Sequence, residues 1–210
     1  KGETNMEKFL KSVMGGGMIG IGGSVYLACD NKYIGALLFT LGLFTICEFS
    51  LGLYTGKVGY IPFNKPDYVG EVLLTILGNS IGTALIALLL SLMPYREKAI
   101  ELCATKLSAD YLKTFFAAVL CGALMFIAVD EYKKKTNAAK YLAMLFCVPV
   151  FILAGFEHSI ANMFYFALGF TDPATYAKAL IYILVAILGN ALGGMLFAVG
   201  AAYHTEKQGE

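Results

Sequence analysis

The stretch ILGNALGGMLFAVG, residues 187–200, repeats the pattern of ILGNSIGTALIALL, residues 76–89. Both copies begin Ile-Leu-Gly-Asn and place a further glycine three residues after the asparagine. The copies begin 111 residues apart, at Ile76 and Ile187, a distance that holds three membrane spans. An odd number of spans in each half inverts the second half relative to the first. The repeat therefore predicts two three-helix halves of opposite orientation.

The composition around the repeat is that of an integral membrane protein. Of the 210 residues, 58% are hydrophobic and only 15% are charged, and the mean hydropathy is +0.69. Six windows are long enough to cross a bilayer, which takes about 20 residues each. They are 9–29, 33–54, 69–93, 115–129 with the flanking 107–114, 141–156 with its continuation, and 176–203.

These windows predict one transmembrane domain. We expect it to cover 6–204, with halves at about 6–95 and 105–204 and a tail at 205–210. Residues 1–5 precede Met6 and are interpreted as a remnant foreign to the native chain.

The distribution of charge predicts the orientation of the chain. With six spans both termini lie on one side, and ten of the 16 basic residues would lie on that side. This favours cytoplasmic termini in a multi-pass protein of the cell membrane. The run Lys133–Lys135 is interpreted as part of this cytoplasmic signal. The formal net charge of +1 gives no polyanion-binding character, so nucleic acid is not an expected partner.

Two of the six spans are interrupted. SLGLYTGKVGYIPFNKP, residues 50–66, places three glycines and two prolines at the end of the second span. Polar EHSIAN, residues 157–162, falls within the fifth span. Irregular backbone at membrane depth is tolerated only where protein or a water-filled cavity surrounds it. Paired interruptions in inverted halves are typical of a substrate path.

Four motifs resemble the formate/nitrite transporter family of anion channels. They are GFEHSIANMF at 155–164, LYTG at 53–56, LGN at 77–79 and 188–190, and AVLC at 118–121. The resemblance covers about residues 8–203. It implies an all-α integral membrane protein with six transmembrane helices in two inverted three-helix repeats. It also implies broken second and fifth helices, an aquaporin-like channel protomer and a homopentamer in the lipid bilayer.

Two positions depart from the family pattern. Gly122 stands where many relatives have asparagine, and Gly52 stands where many have an acidic residue. With these departures the chain looks closest to the hydrosulphide-channel branch.

The resemblance implies a substrate pathway of six residues, namely His158, Thr55, Lys106, Asn162, Asn190 and Glu157. An imidazole at His158 can exchange a proton with a passing weak acid, although a hydrogen-bonded packing role is the alternative. Thr55 would replace lost water at an anion, or else bond its own backbone. Lys106 would attract anions. Asn162 and Asn190 are expected to hold the interrupted segments, and Glu157 to brace them.

The resemblance also implies two hydrophobic constrictions. The outer one would be formed by Phe39, Leu43 and Phe151, and the inner one by Leu53 and Val148. Ordinary helix packing is the alternative for all five. A hydrophobic collar disfavours bare ions, so an anion must be compensated or neutralised to cross. Glu48 is a further acid in a span, for which structural pairing is expected over transport.

The predicted function is permeation of small monovalent weak-acid anions, with hydrosulphide, formate and nitrite as candidates, by a passive or proton-coupled route. We expect no cofactor, no metal and no enzymatic activity. One alternative is a channel for neutral solutes such as water or glycerol. The other is a membrane enzyme with redox or metal chemistry, which the absence of a CxxC pair among five cysteines and of a second histidine in a span disfavours.

Overall fold

The computed structural model describes residues 2–170 and 172–208, with side chains as far as residue 204. Lys1, Thr171 and the whole predicted tail, 205–210, therefore lie outside the described side chains. The helices within this range are α1 (Asn5–Ala28), α2 (Lys32–Glu48), α3 (Tyr54–Lys57), α4 (Asp67–Leu89), α5 (Arg96–Leu107), α6 (Tyr111–Lys134), α7 (Ala139–Leu153), α8 (Ser159–Gly169) and α9 (Tyr176–Gln208). Two short 3₁₀ helices, Val58–Phe63 and Pro173–Thr175, precede α4 and α9.

Polar side chains at the first turns fix where several helices begin. Thr4 and Glu7 form a reciprocal capping box at α1. Asn31 caps α2 and Asp110 caps α6 by accepting hydrogen bonds from first-turn N–H groups. Each such cap contributes about 1 kcal/mol. Thr4 belongs to the segment interpreted as a remnant, yet it takes part in the first helix.

Three stretches of the described chain are long and apolar enough to cross a membrane. They are Asp67–Leu89, Tyr111–Lys134 and Pro173–His204, which overlap the third, fourth and sixth predicted windows. The fifth window instead holds two shorter apolar helices, α7 with 15 residues and α8 with 11. Helix α2 has 17 residues and ends at Glu48, short of the predicted end at Tyr54. Each of these helices is shorter than the roughly 20 residues of a complete span.

The outer surface of the helical bundle is apolar. Leu73, Leu88, Phe146 and Leu188 are all more than half exposed. Soluble monomers rarely expose contiguous apolar surface of this kind. In a bilayer such a surface is covered by acyl chains or by further protein.

The two most extensive helix pairings among the described residues are α1 with α4 and α6 with α9. A Cβ atom on Gly82 would lie 2.0 Å from the Val13 carbonyl oxygen. In the second pair, a Cβ atom on Gly193 would lie 1.8 Å from the Val119 carbonyl oxygen. No side chain fits at either crossing, so glycine is what lets the backbones touch. The α8 helix packs between these pairs, against α4 and α5.

Helix α5 is an element that hydropathy did not predict. Its charged residues, which include Arg96, Glu97 and Lys98, interrupt any apolar window. It packs closely on the end of α8, where a Cβ atom on Gly169 would lie 2.6 Å from the Ala99 carbonyl oxygen. This packing places Lys106, in the last turn of α5, next to the non-helical segment before α8.

Candidate functional site

Asn79 holds the non-helical segment between α2 and α3. Its Oδ1 accepts a hydrogen bond from the Tyr54 N–H at 2.9 Å. Its Nδ2 donates to the carbonyl oxygens of Gly52 at 2.8 Å and Ser12 at 2.7 Å. The side chain is fully buried. The amide thus satisfies backbone groups that a continuous helix would have paired, which makes the break tolerable inside an apolar bundle.

Asn190 makes the same three bonds in the segment between α7 and α8. Its Oδ1 accepts from the Ser159 N–H at 2.9 Å. Its Nδ2 donates to the carbonyl oxygens of Glu157 and Ala118, both at 2.8 Å. In each segment the amide bonds one N–H, the carbonyl two residues before it, and a carbonyl on a neighbouring long helix. Tyr54 and Ser159 therefore occupy equivalent places in the two segments.

His158 is the residue immediately before α8 and is 2% exposed. Its Nδ1 accepts a hydrogen bond from the Ala161 N–H at 3.1 Å. A ring nitrogen that accepts carries no proton, so the proton of the neutral imidazole lies on Nε2. This arrangement caps α8 and fixes the tautomer of the ring.

Thr55 lies opposite that proton. Its Oγ1 is 3.0 Å from His158 Nε2, so the Nε2–H donates to the hydroxyl oxygen. Thr55 is fully buried, and within the described residues His158 is the only hydrogen-bond partner of its hydroxyl. The hydroxyl proton is therefore available to an acceptor such as an anion. In the structure this hydroxyl therefore bonds His158 and not its own backbone, which was the alternative.

Glu157 is buried and joins two other candidate residues. Its Oε2 accepts hydrogen bonds from Lys106 Nζ at 2.6 Å and from Asn162 Nδ2 at 2.9 Å. Only 13% of the Lys106 side chain and 11% of the Glu157 side chain are exposed. Lys106, which was predicted to act as a fixed positive charge, thus forms an ion pair with Glu157. The pair fastens α5 to the start of α8.

An aromatic pair from two helices lies next to His158. Phe39 on α2 meets Phe151 on α7 edge to face, with ring centroids 6.0 Å apart. Phe151 also stacks on His158, with centroids 5.4 Å apart and planes at 24°. Two of the three residues predicted for the outer constriction therefore lie in contact next to the imidazole.

The aliphatic candidates are also buried. Leu43 and Val148 are 1% and 0% exposed. Leu53 is the residue before α3 and borders a cavity of about 230 Å³. Glu48, by contrast, is exposed at the last position of α2.

Among the described residues, no group of three or more His, Cys, Asp or Glu side chains could hold a metal ion. All five cysteines are free thiols. Cys121 and Cys147 are buried and Cys47 is half-buried.

The sequence analysis placed Asn190 in the pathway but not Asn79. The repeat contained the signal, because both asparagines occupy the same position of the Ile-Leu-Gly-Asn motif. Tyr54 was missed as well. Its hydroxyl donates to the Ile187 carbonyl oxygen at 2.8 Å and so ties α3 to the start of the second motif.

Comparison with known proteins identifies relatives of the whole chain. The profile of the formate/nitrite transporter family matches residues 2–205. Nitrite transporter NirC of Escherichia coli (strain K12) is 29% identical over 224 residues, which cover 95% of this chain and 84% of that protein. A solved FNT family ion channel has a TM-score of 0.85 and 27% identity, covering 93% of this chain and 89% of its own. A pentameric formate channel with formate bound has the same fold, with a TM-score of 0.78, 23% identity and coverage of 97% and 98%.

Proposed function

Because the chain belongs to the formate/nitrite transporter family, we propose that it is a membrane channel or transporter for small monovalent weak-acid anions, with one pore in each protomer. Proteins of this family are channels and transporters, and we assign no enzymatic activity or cofactor to this chain. Nitrite and formate are candidate substrates because similar proteins are named for them. Hydrosulphide is the third candidate, since it is a small monovalent weak-acid anion as well.

The proposed architecture has six spans in two inverted halves, 6–95 and 105–204, with the second and fifth spans broken. Its support is the matching hydrogen-bond pattern of Asn79 and Asn190, which fastens a non-helical segment in each half. We also propose a homopentamer with cytoplasmic termini. The apolar outer surface and the likeness to a pentameric formate channel support that assembly.

One observation carries the proposed function, the contact between His158 and Thr55. It joins α3 to the non-helical segment before α8 inside the bundle, where both side chains are buried. The Nε2–H donates to the Thr55 hydroxyl oxygen, which leaves the hydroxyl hydrogen for an anion at a place between apolar side chains. Such a pair can replace part of the hydration that a small anion loses.

The charges nearby favour passage of the neutral acid. A bare anion loses hydration worth several kcal/mol or more when it enters an apolar region. The ammonium of Lys106 is already paired with Glu157, so it compensates an incoming anion less than an unpaired lysine would. A weak-acid anion that takes up a proton avoids this cost. In this proposal the imidazole of His158 first takes up a second proton from water, and the imidazolium passes one proton to the anion and becomes neutral again. The acid then releases its proton to water on the far side.

The remaining candidates have supporting roles in this proposal. Phe39, Leu43 and Phe151 form the outer constriction, and Leu53 and Val148 form the inner one. Glu157, Asn162 and Asn190 position the segment that carries His158.

Flux measurement in liposomes tests the proposal. Purified protein is reconstituted, and the uptake of formate, nitrite, hydrosulphide and chloride is followed against protein-free vesicles. We expect the three weak-acid anions to pass and chloride to pass much less well. Glycerol or water flux without any anion flux would instead establish a neutral-solute channel and reject the proposal.

A further inference from the structure

A groove of about 520 Å³ lies between α4, α8 and α9. Ala84 of α4 and Ala167 of α8 line it and are exposed. Leu88 of α4 and Leu180 of α9 also line it and are more than half exposed. The groove therefore opens on the apolar outer surface of the bundle. We call it the α4–α9 groove.

The α4–α9 groove is apolar over nearly the thickness of one membrane leaflet. Ser80 and Leu88 line it eight positions apart on α4, which is about 12 Å of helix, and half of the hydrocarbon core is about 15 Å. The hydroxyls of Ser80 and Thr83 donate to the Ile76 and Ser80 carbonyl oxygens of their own helix, both at 2.9 Å. The groove wall thus has the length and the polarity that suit an acyl chain.

Arg96 lies at the end of the groove where α4 stops. Among the described residues that line the groove, it is the one that carries a charge. Its Nη2 donates to the Phe170 carbonyl oxygen at 3.3 Å, and it makes no salt bridge with a described carboxylate. A guanidinium has five N–H donors in a geometry that matches phosphate oxygens. Because the apolar helix ends at Leu89, this cation lies at the level of lipid headgroups.

The acids near the groove in the chain do not neutralise Arg96. Glu97 and Asp172 are exposed, and neither lines the groove. Asp172 accepts a hydrogen bond from the Ala174 N–H at 3.0 Å and so caps the short helix before α9. Arg96 is half-buried, so its charge is screened less by water than theirs.

We propose that the α4–α9 groove binds one anionic phospholipid, with an acyl chain between α4 and α9 and the phosphate on Arg96. A second copy of the chain over the groove would bury the Arg96 charge and would need an acid opposite it. A phosphate at the membrane surface pairs with the same charge while it stays in contact with water. The acyl chain would pack on Met163 and Phe166 of α8, the helix that His158 caps.

An introduced tryptophan can report which lipid occupies the groove. The chain contains no tryptophan, so a single indole gives a selective fluorescence signal. Leu180→Trp places it in the groove, and Leu188→Trp places it two turns further along α9, where Leu188 is exposed and does not line the groove. Each variant is reconstituted in phosphatidylcholine vesicles that contain a small fraction of brominated phosphatidylglycerol or brominated phosphatidylcholine. The ratio of quenching by the two brominated lipids cancels the depth of the reporter.

We expect phosphatidylglycerol to quench the Leu180→Trp reporter about three- to tenfold more effectively than phosphatidylcholine, and the Leu188→Trp reporter about equally. Adding Arg96→Gln should bring the first ratio close to that of the second, whereas Arg96→Lys should retain most of it. Lys98→Gln is the matched control, because it removes an equal charge from α5 at an exposed residue that pairs with Asp30 at 3.0 Å. Its ratio should stay at the value of the unmodified reporter.

A change of shape tests the acyl-chain part of the site. Ala167→Phe extends an exposed side chain into the groove without displacing a buried one, so the oligomer should stay intact on gel filtration. We expect it to lower the phosphatidylglycerol preference of the Leu180→Trp reporter as Arg96→Gln does.

Three results would overturn the proposal. The first is equal quenching ratios at the two reporter positions. The second is a preference at Leu180→Trp that persists in both Arg96→Gln and Ala167→Phe. The third is a Leu180→Trp reporter that neither brominated lipid quenches while both quench Leu188→Trp, which would show that a second copy of the chain covers the groove.

Discussion

Lys106 Nζ lies 2.6 Å from Glu157 Oε2, and this buried ion pair connects α5 to the residue that precedes His158. Sequence reasoning named both residues, with Glu157 as a brace and Lys106 as an attractor of anions, but did not pair them. A buried cation and anion that satisfy each other hold two elements in register, and removing one of them leaves the other uncompensated. The first prediction follows from this relationship.

Glu157→Gln should destabilise the protein by about 2–4 kcal/mol, because Lys106 would keep a charge without a partner while Asn162 could still bond the amide oxygen. Adding Lys106→Met should restore most of the loss. Thermal unfolding of the detergent-solubilised oligomer, arranged as a double-mutant cycle, measures the coupling. As a control, Asp30→Asn breaks the exposed pair with Lys98 and should leave the midpoint unchanged. Additive effects of the two buried changes would show that the pair is not coupled.

Thr55→Ala should change anion flux about two- to tenfold while the oligomer stays intact, because His158 Nε2–H loses its acceptor. Thr55→Ser keeps the hydroxyl and should retain the wild-type flux. Thr75→Ala is the matched control, since that buried hydroxyl bonds only the Glu71 carbonyl oxygen of its own helix. The assay is uptake of several anions into liposomes. Wild-type flux and selectivity in Thr55→Ala would exclude a role for this hydroxyl in the pathway.

His158→Phe should abolish both the preference for weak-acid anions over chloride and the pH dependence of their flux. In the wild type the flux of formate should rise as the pH falls, because protonation of the substrate is the step that the imidazole assists. His158→Asn retains a side-chain acceptor for the Ala161 N–H and so separates helix capping from proton exchange. We expect it to stay folded and to lose the same pH dependence.

The measurement is initial uptake across a pH series, with oligomer size checked for each variant. A wild-type pH profile in both His158 variants would mean that the imidazole only caps α8.

Gly122→Ala should destabilise the protein by about 3 kcal/mol or more, because its Cβ would lie 2.2 Å from the Asn190 carbonyl oxygen. The helix backbone would have to move and would carry the Asn190 amide away from the Ser159 N–H. Gly200→Ala, with nothing within 4 Å of the added Cβ, should be tolerated and add about 0.5–1 kcal/mol of helix stability. Thermal unfolding of the two variants side by side is the test, and equal midpoints would refute the close crossing of α6 and α9.

The sequence alone established the membrane class and the family. The length and composition of the apolar windows are those of membrane helices. The match over residues 2–205 confirms the predicted family. Local motifs also predicted two interruptions, since glycine, proline and polar residues disfavour a continuous apolar helix. Hydropathy did not predict correctly where the helices end. Leu51, Leu53 and Tyr54 are apolar like a span, yet they follow the end of α2 at Glu48, because Asn79 pairs the backbone there.

Only the tertiary structure decided how the site residues pair. Thr55 and His158 are 103 positions apart, and their contact exists because the two non-helical segments are fastened by Asn79 and Asn190. The proton on Nε2 follows from the Ala161 N–H that His158 accepts. Local patterns carry no information about such pairs, because hydropathy and residue type report whether a side chain is buried. Which partner it meets there depends on how closely distant helices approach, and in this chain glycine contacts between backbones set that distance.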